Sequence, residues 1–206
     1  MNPALPLPLS GKTPADPERR TWLLASTGMG CVGAAAVAWP LVSSFAPSER
    51  AKAQGASVEV DISDLAPGEL RTVEWRGQPV WLLRRTPEML TSLNATADLA
   101  DPDSNVPQQP EYARNTHRSI QPEVLVNVGI CTHLGCSPVT LPQGTANTSV
   151  PANWQGGFFC PCHGSTFDLA GRVFKNKPAP TNLVVPPHTY LAATTLLIGE
   201  DGEHKA

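Results

Sequence analysis

Two short boxes hold the residues able to do chemistry: Cys131-Thr132-His133-Leu134-Gly135-Cys136 and Cys160-Pro161-Cys162-His163-Gly164-Ser165-Thr166-Phe167. Four of the five cysteines and two of the five histidines in the 206-residue chain lie in them. Each box offers one Cys and one His at metal-ligand spacing, C-x-H in the first and C-x-x-H in the second, and one further Cys. A Cys2His2 set suits a tetrahedral structural zinc. Finger-type sites, however, draw their cysteines from one half of the motif and their histidines from the other, whereas here each half supplies one of each. That division is what a two-iron cluster with unlike ends requires, with two thiolates on one iron and two imidazoles on the other. A structural zinc, or a disulfide pair without metal, is the alternative.

The boxes and their surroundings resemble the Rieske iron–sulfur proteins, in particular the iron–sulfur subunits of quinol–cytochrome c reductase (cytochrome bc1) complexes, from about Arg19 to Ile198. The resemblance implies one Rieske-type [2Fe–2S] cluster, with Cys131 and Cys160 on the first iron and His133 and His163 on the second. It also implies a disulfide, Cys136–Cys162, tying the two loops together; two free buried thiols are the other reading. Rieske ferredoxins and ring-hydroxylating oxygenases share the four ligands but generally lack this extra pair. A disulfide persists in an oxidising compartment, which points to the periplasmic side of a bacterial inner membrane. Two neutral imidazoles in place of thiolates remove negative charge, so such centres lie at about −150 to +300 mV against about −400 mV for all-cysteine plant-type clusters.

By the same resemblance, His163, with His133 alongside, faces the quinol and accepts a proton while the cluster accepts an electron. Leu134 shields the cluster and shapes the docking surface, and Gly135 and Gly164 stand next to the ligands. Ser165 occupies the place of a hydroxyl donor to a bridging sulfide. Phe167 stands where many members carry a tyrosine whose phenol donates to a ligand sulfur, which implies a lower potential here. Lys177-Pro178-Ala179-Pro180 resembles the family's Gly-Pro-Ala-Pro loop over the cluster's third side, with Lys177 replacing the glycine. His117, His188 and His204 have no paired spacing and read as surface residues, and Cys31 reads as an inert apolar side chain.

The elements that must position these boxes follow from the rest of the chain. A net charge of −3 gives no nucleic-acid footprint. Residues 1–20 are proline-bearing and end in Arg19-Arg20-Thr21-Trp22, which looks like a twin-arginine export signal on a cytoplasmic tail; two charges anchoring a helix end are the plainer reading. No charged residue occurs from Thr21 to Ser48, and the 24 residues Trp22–Phe45 would span about 36 Å as helix, against a hydrocarbon core of about 30 Å. Residues 21–46 are therefore expected to be a single uncleaved transmembrane anchor, a cleaved signal peptide being the rival. Small polar residues over 47–57 read as a flexible hinge.

Residues 58–206 are expected to form an antiparallel β domain, with a loop-built cluster-binding subdomain at about 129–182. Strands are expected at 58–62, at 70–75 and 79–84 around Arg76-Gly77-Gln78, at 123–128, 172–174, 183–185 and 190–198. A short helix is capped by Thr86 with Pro87 at its first position, and 98–119 reads as a polar surface insertion. The fold class is thus mainly β behind one membrane helix. The function expected is that of the electron-transfer subunit of a proton-translocating quinol–cytochrome c oxidoreductase. Its expected partners are cytochrome b, cytochrome c1, ubiquinol and membrane lipid in a dimeric complex. A small Rieske subunit of an arsenite-oxidase-like periplasmic enzyme and a membrane-tethered zinc module are the competing functions.

Overall fold

Asp16 opens the first element: its carboxylate accepts the Glu18 N–H at 3.0 Å, and Pro17 supplies a first-turn residue that needs no donor. The computed structural model describes residues 16–48, 55–145 and 149–202. Residues 1–15 of the expected tail and 49–54 of the expected hinge lie outside these, as does His204. The chain divides into two units, Met1–Arg50 and Ala51–Ala206.

In the first unit, helix α1 (Pro17–Ser43) has 27 residues, about 40 Å at 1.5 Å per residue, and is long and apolar enough to cross a membrane. It starts ahead of the expected Thr21 because the Asp16–Pro17 cap lies before the arginine pair. Pro40 sits in its last turn, where a kink redirects only the few residues that follow.

Among the described residues the second unit holds nine strands in three antiparallel sheets: β1 (Val58–Asp61) with β9 (Thr195–Ile198) and β8 (His188–Ala192); β2 (Leu70–Trp75) with β3 (Gln78–Arg84) and β4 (Val124–Val128); β5 (Val139–Leu141) with β6 (Gly157–Phe159) and β7 (Thr166–Phe167). In the middle sheet β3 and β4 are buried on both faces, while Thr72 and Glu74 of β2 are exposed. Along β3, Val80 and Leu82 enter one core with Val60, Trp75, Val126 and Ile198, while Trp81 and Leu83 enter a second with Leu125, Phe158 and Phe167. Side chains alternate across a strand, so a strand buried on both sides reads as a largely apolar run, as β4 does apart from the buried Asn127. Cys131 and Cys160 belong to the second core. The site is therefore built on the face of the middle sheet that the β5–β6–β7 layer covers.

The hairpin turns at Arg76-Gly77, both with positive φ, and α2 (Pro87–Ala95) is capped by Thr86 Oγ1 accepting the Met89 N–H, as expected. Five expectations are corrected. Residues 98–119 are not a surface insertion: Leu99, Ser104, Ala113, Arg118 and Ser119 are buried, and the segment forms the wall behind the second box. Its regular structure is one 3-10 turn, Glu111–Ala113. Residues 183–185 form no strand; the Leu183 N–H, Val184 carbonyl and Val185 N–H bond Gly171, Val128 and Gln108 in turn, three different partners rather than one neighbour. Val173 and Phe174 make only isolated bridges, to Phe167 and Leu99, and residues 190–198 are a hairpin rather than one strand. His188 is 1 % exposed because it sits against Tyr112, whose hydroxyl accepts the His188 N–H and donates to its carbonyl. His117 is half-buried.

Candidate metal centre

Both boxes are strand-to-strand loops with one backbone pattern, the first leaving β4 and the second joining β6 to β7. In the first, Gly135 N–H donates to the Cys131 carbonyl at 3.0 Å and Cys131 N–H to Cys136 at 2.8 Å. In the second, Gly164 N–H donates to Cys160 at 2.9 Å and Cys160 N–H to Ser165 at 2.8 Å. The glycine at the fifth position of each loop has φ of +82° or +78°, with nothing within 4 Å of where a Cβ would stand. Conformation, not space, requires glycine there. The shared Cys-x-x-x-Gly spacing is the sequence signal for this repeated turn.

Cys136 and Cys162 are disulfide-bonded, Cα–Cα 6.7 Å, across a sequence separation of 26. Closing a loop of that length stabilises the fold by about 3.5 kcal/mol in the chain-entropy account. Their removal from the donor set leaves Cys131 and Cys160 as the free, buried thiols. The Sγ atoms of Cys136, Cys160 and Cys162 fall within 4.8 Å of one another, but two of these sulfurs bond each other and are not available as thiolates. His133 and His163 stand edge to face with ring centroids 4.8 Å apart. His133 is half-buried, His163 is exposed, and Leu134 beside them is 71 % exposed. The centre is thus polar in its arrangement, with sulfur inward and imidazole outward.

Burial pushes the Cys131 thiol up from the usual cysteine range; the His133 backbone N–H and the Ser165 hydroxyl pull it down, and the neighbouring Cys160 thiol raises it. Ser165 is wholly buried, and its Oγ accepts the Ala179 N–H at 3.0 Å. The loop Pro178-Ala179-Pro180 is therefore tied to the second box through Ala179, with both prolines exposed. Thr132 Oγ1 donates to the Thr181 carbonyl at 2.7 Å and ties the same loop to the first box. Lys177 donates to the Ser149 carbonyl at 2.7 Å, bracing this loop against the one before β6. Phe167 lies in the core that contains Cys131 and Cys160. The Asp168–Arg172 ion pair, Oδ2 to Nε 2.7 Å and almost completely buried, closes the turn after the second box. Asp168, Arg172 and Thr132 are not among the residues predicted for the site; an Asp four residues before an Arg with glycine between is the sequence signal for the ion pair.

Residues 57–188 match the family model of the Rieske [2Fe-2S] domain, and residues 9–48 match that of the ubiquitinol-cytochrome C reductase Fe-S subunit TAT signal. The ubiquinol-cytochrome c reductase iron-sulfur subunit of Allochromatium vinosum is 55% identical over 195 residues, 94% of each chain. The chain belongs to this Rieske iron–sulfur subunit family. The subunit of the same description from Rhodospirillum rubrum is 42% identical over 183 residues, covering 88% of this chain and 92% of that one. Among solved structures, a chain of a hyperthermophilic respiratory Complex III is 26% identical, with a TM-score of 0.46, over 84% of this chain and 97% of the other.

A Rieske [2Fe–2S] cluster is the family's cofactor, and the donor set here fits it. Two adjacent buried thiols are costly to ionise unless a cation offsets their charge, and two neighbouring imidazoles supply the neutral end. The disulfide removes the competing sulfurs.

Proposed function

We propose that this family member carries single electrons from ubiquinol, at the cytochrome b surface, to cytochrome c1 in a quinol–cytochrome c oxidoreductase. The observation that supports this reading is the arrangement of the centre, with its thiols inside and its two imidazoles at an exposed tip beside Leu134. Cys131 and Cys160 would hold one iron, and His133 and His163 the other. When bound, the cluster supplies a one-electron acceptor that two neutral ligands make easier to reduce.

The chain's own residues do the rest. The outer ring nitrogen of His163 is presented at the surface, where it can accept the proton of a quinol hydroxyl, with His133 beside it. Exposed Leu134 seats the tip in an apolar partner surface and keeps water from the rings. The Cys136–Cys162 disulfide holds the two imidazole-bearing loops at a fixed separation. The Pro178-Ala179-Pro180 loop closes the remaining side at low entropic cost, since proline restricts its own backbone. Helix α1 would hold the head to the inner membrane with the N-terminus in the cytoplasm and the head in the periplasm, and residues 47–57 would let it move between donor and acceptor. Export as a folded, cluster-bearing domain through the twin-arginine route fits the Arg19-Arg20 pair.

Leu134→Glu in the assembled membrane complex tests the reading. The cluster's spectrum and potential should be retained while ubiquinol-dependent cytochrome c reduction falls by about tenfold or more, the equivalent of about 1.4 kcal/mol. Unchanged turnover, or a wild-type cluster that ubiquinol does not reduce, would refute it.

A further inference from the structure

Three arginines converge on the turn that leaves the second box. Arg85, from the end of β3, donates to the carbonyls of Leu169 (3.2 Å), His117 (2.8 Å) and Pro122 (2.8 Å) and to Ser119 Oγ (2.6 Å). Arg118, from the wall segment, donates to the carbonyls of Ala170 (3.2 Å), Gly171 (3.5 Å) and Leu183 (2.8 Å) and to Gln109 Oε1 (2.9 Å). Arg172 pairs with Asp168 and donates to the Leu93 carbonyl at 2.8 Å. Arg85 is 3 % exposed, Arg118 0 % and Arg172 3 %.

One buried carboxylate therefore stands against three buried guanidiniums. Arg172 takes that carboxylate, and neither Arg85 nor Arg118 has a carboxylate within ion-pair distance among the described residues. Asp168 acts on both at longer range, as do Glu123 on Arg85 and Asp101 on Arg118 more weakly. Glu123 is exposed, and both carboxylate oxygens of Asp101 accept backbone N–H groups of its own loop. Burial pushes both arginines down to about 10, which leaves them charged at neutral pH. Leu169, Ala170 and Leu183, whose carbonyls these arginines hold, belong to the same buried core as Cys131 and Cys160. Buried charge is screened far less by salt and water than surface charge.

We propose that Arg85 and Arg118 are positioning residues that also set the cluster's reduction potential: their two carboxylate-free charges, fixed behind the second box by backbone carbonyls, favour the reduced state. Reduction adds one negative charge to the centre, and the field of two fixed cations lowers its energy. The inference rests on the Rieske cluster being held in this site, not on which donor reduces it.

The experiment is a redox titration, followed by electron paramagnetic resonance, of the full-length chain in its membrane complex. Arg118→Met should lower the midpoint potential with the g values unchanged, and Arg118→Lys, which keeps the charge but not the fork, should restore it. Gln109→Glu keeps the bond to Arg118 and places a carboxylate on it, giving up the amide's donations to the Ser104 and Val106 carbonyls, so it too should lower the potential. A cluster-bearing Arg118→Met at the wild-type potential overturns the proposal. If that variant holds no cluster, Gln109→Glu decides: an unshifted potential, or a shift accompanied by altered g values, overturns it. A wild-type chain with no Rieske signal would instead remove the functional reading above, so the two failures are distinguishable.

Discussion

Replacing Asp168 by Asn tests how much of the second box depends on one buried ion pair. The Asp168 and Arg172 side chains are 2% and 4% exposed, and their Oδ2–Nε contact is 2.7 Å. Oδ1 separately accepts the Ala170 N–H at 2.9 Å and the Arg172 N–H at 2.8 Å. Asparagine keeps that oxygen and both backbone bonds, but turns an NH2 toward the guanidinium and leaves Arg172 charged and unpaired. Breaking one side of a buried pair costs about 3–5 kcal/mol, a large part of the roughly 5–15 kcal/mol that holds a domain together. For a domain of this size that corresponds to a fall of roughly 6–20 °C in the unfolding midpoint. The assay is thermal loss of the cluster's visible circular dichroism in the detergent-solubilised full chain, comparing wild type, Asp168→Asn and Asp168→Asn/Arg172→Met. Removing the stranded charge in the double variant should recover part of the loss, because an apolar replacement of both partners is far less costly than half a pair. A fall below about 2 °C, or a double variant less stable than the single one, would refute the reasoning.

Two more outcomes follow from the same geometry. Phe167→Tyr places a phenol in the core shared with Cys131 and Cys160. If it donates to a ligand sulfur with about 1.5 kcal/mol more stabilisation of the reduced state, the potential should rise by about 60 mV, and a redox titration with no rise would sink the idea. His188 is buried, and burial lowers its pKa against a smaller upward pull from the Pro186 carbonyl, which its Nδ1 meets at 2.8 Å. A histidine held neutral by the fold contributes stability above its unfolded pKa of about 6.5 and loses it as pH falls. The wild-type midpoint should therefore drop between pH 7.5 and 5. His188→Asn, whose amide can keep the bond to Pro186, should flatten that drop; equal slopes would count against it.

What the sequence determined by itself was local. Ligand spacing, the glycine at the fifth position of each box, the Arg76-Gly77 turn and the Thr86-Pro87 cap each depend on residues within a few positions of one another. Backbone conformation and short-range hydrogen bonds express these directly, so they could be read before any fold was known. The 24 uncharged residues Trp22–Phe45 were legible for the same reason, since hydropathy is a property of one stretch.

Tertiary structure decided which polar groups went inside. Residues 98–119 are polar enough to suggest a loop in water, yet Arg118 is buried because carbonyls at 170, 171 and 183, distant in sequence, converge to accept its donors. His188 is inside because Tyr112, far away in the chain, bonds both its backbone groups. Residues 183–185 have strand-like composition, but their backbone groups are claimed by three separate neighbours. A buried charge or an apolar segment without a ladder is stable only when distant partners arrive together, and that convergence belongs to the packed chain rather than to any window of its sequence.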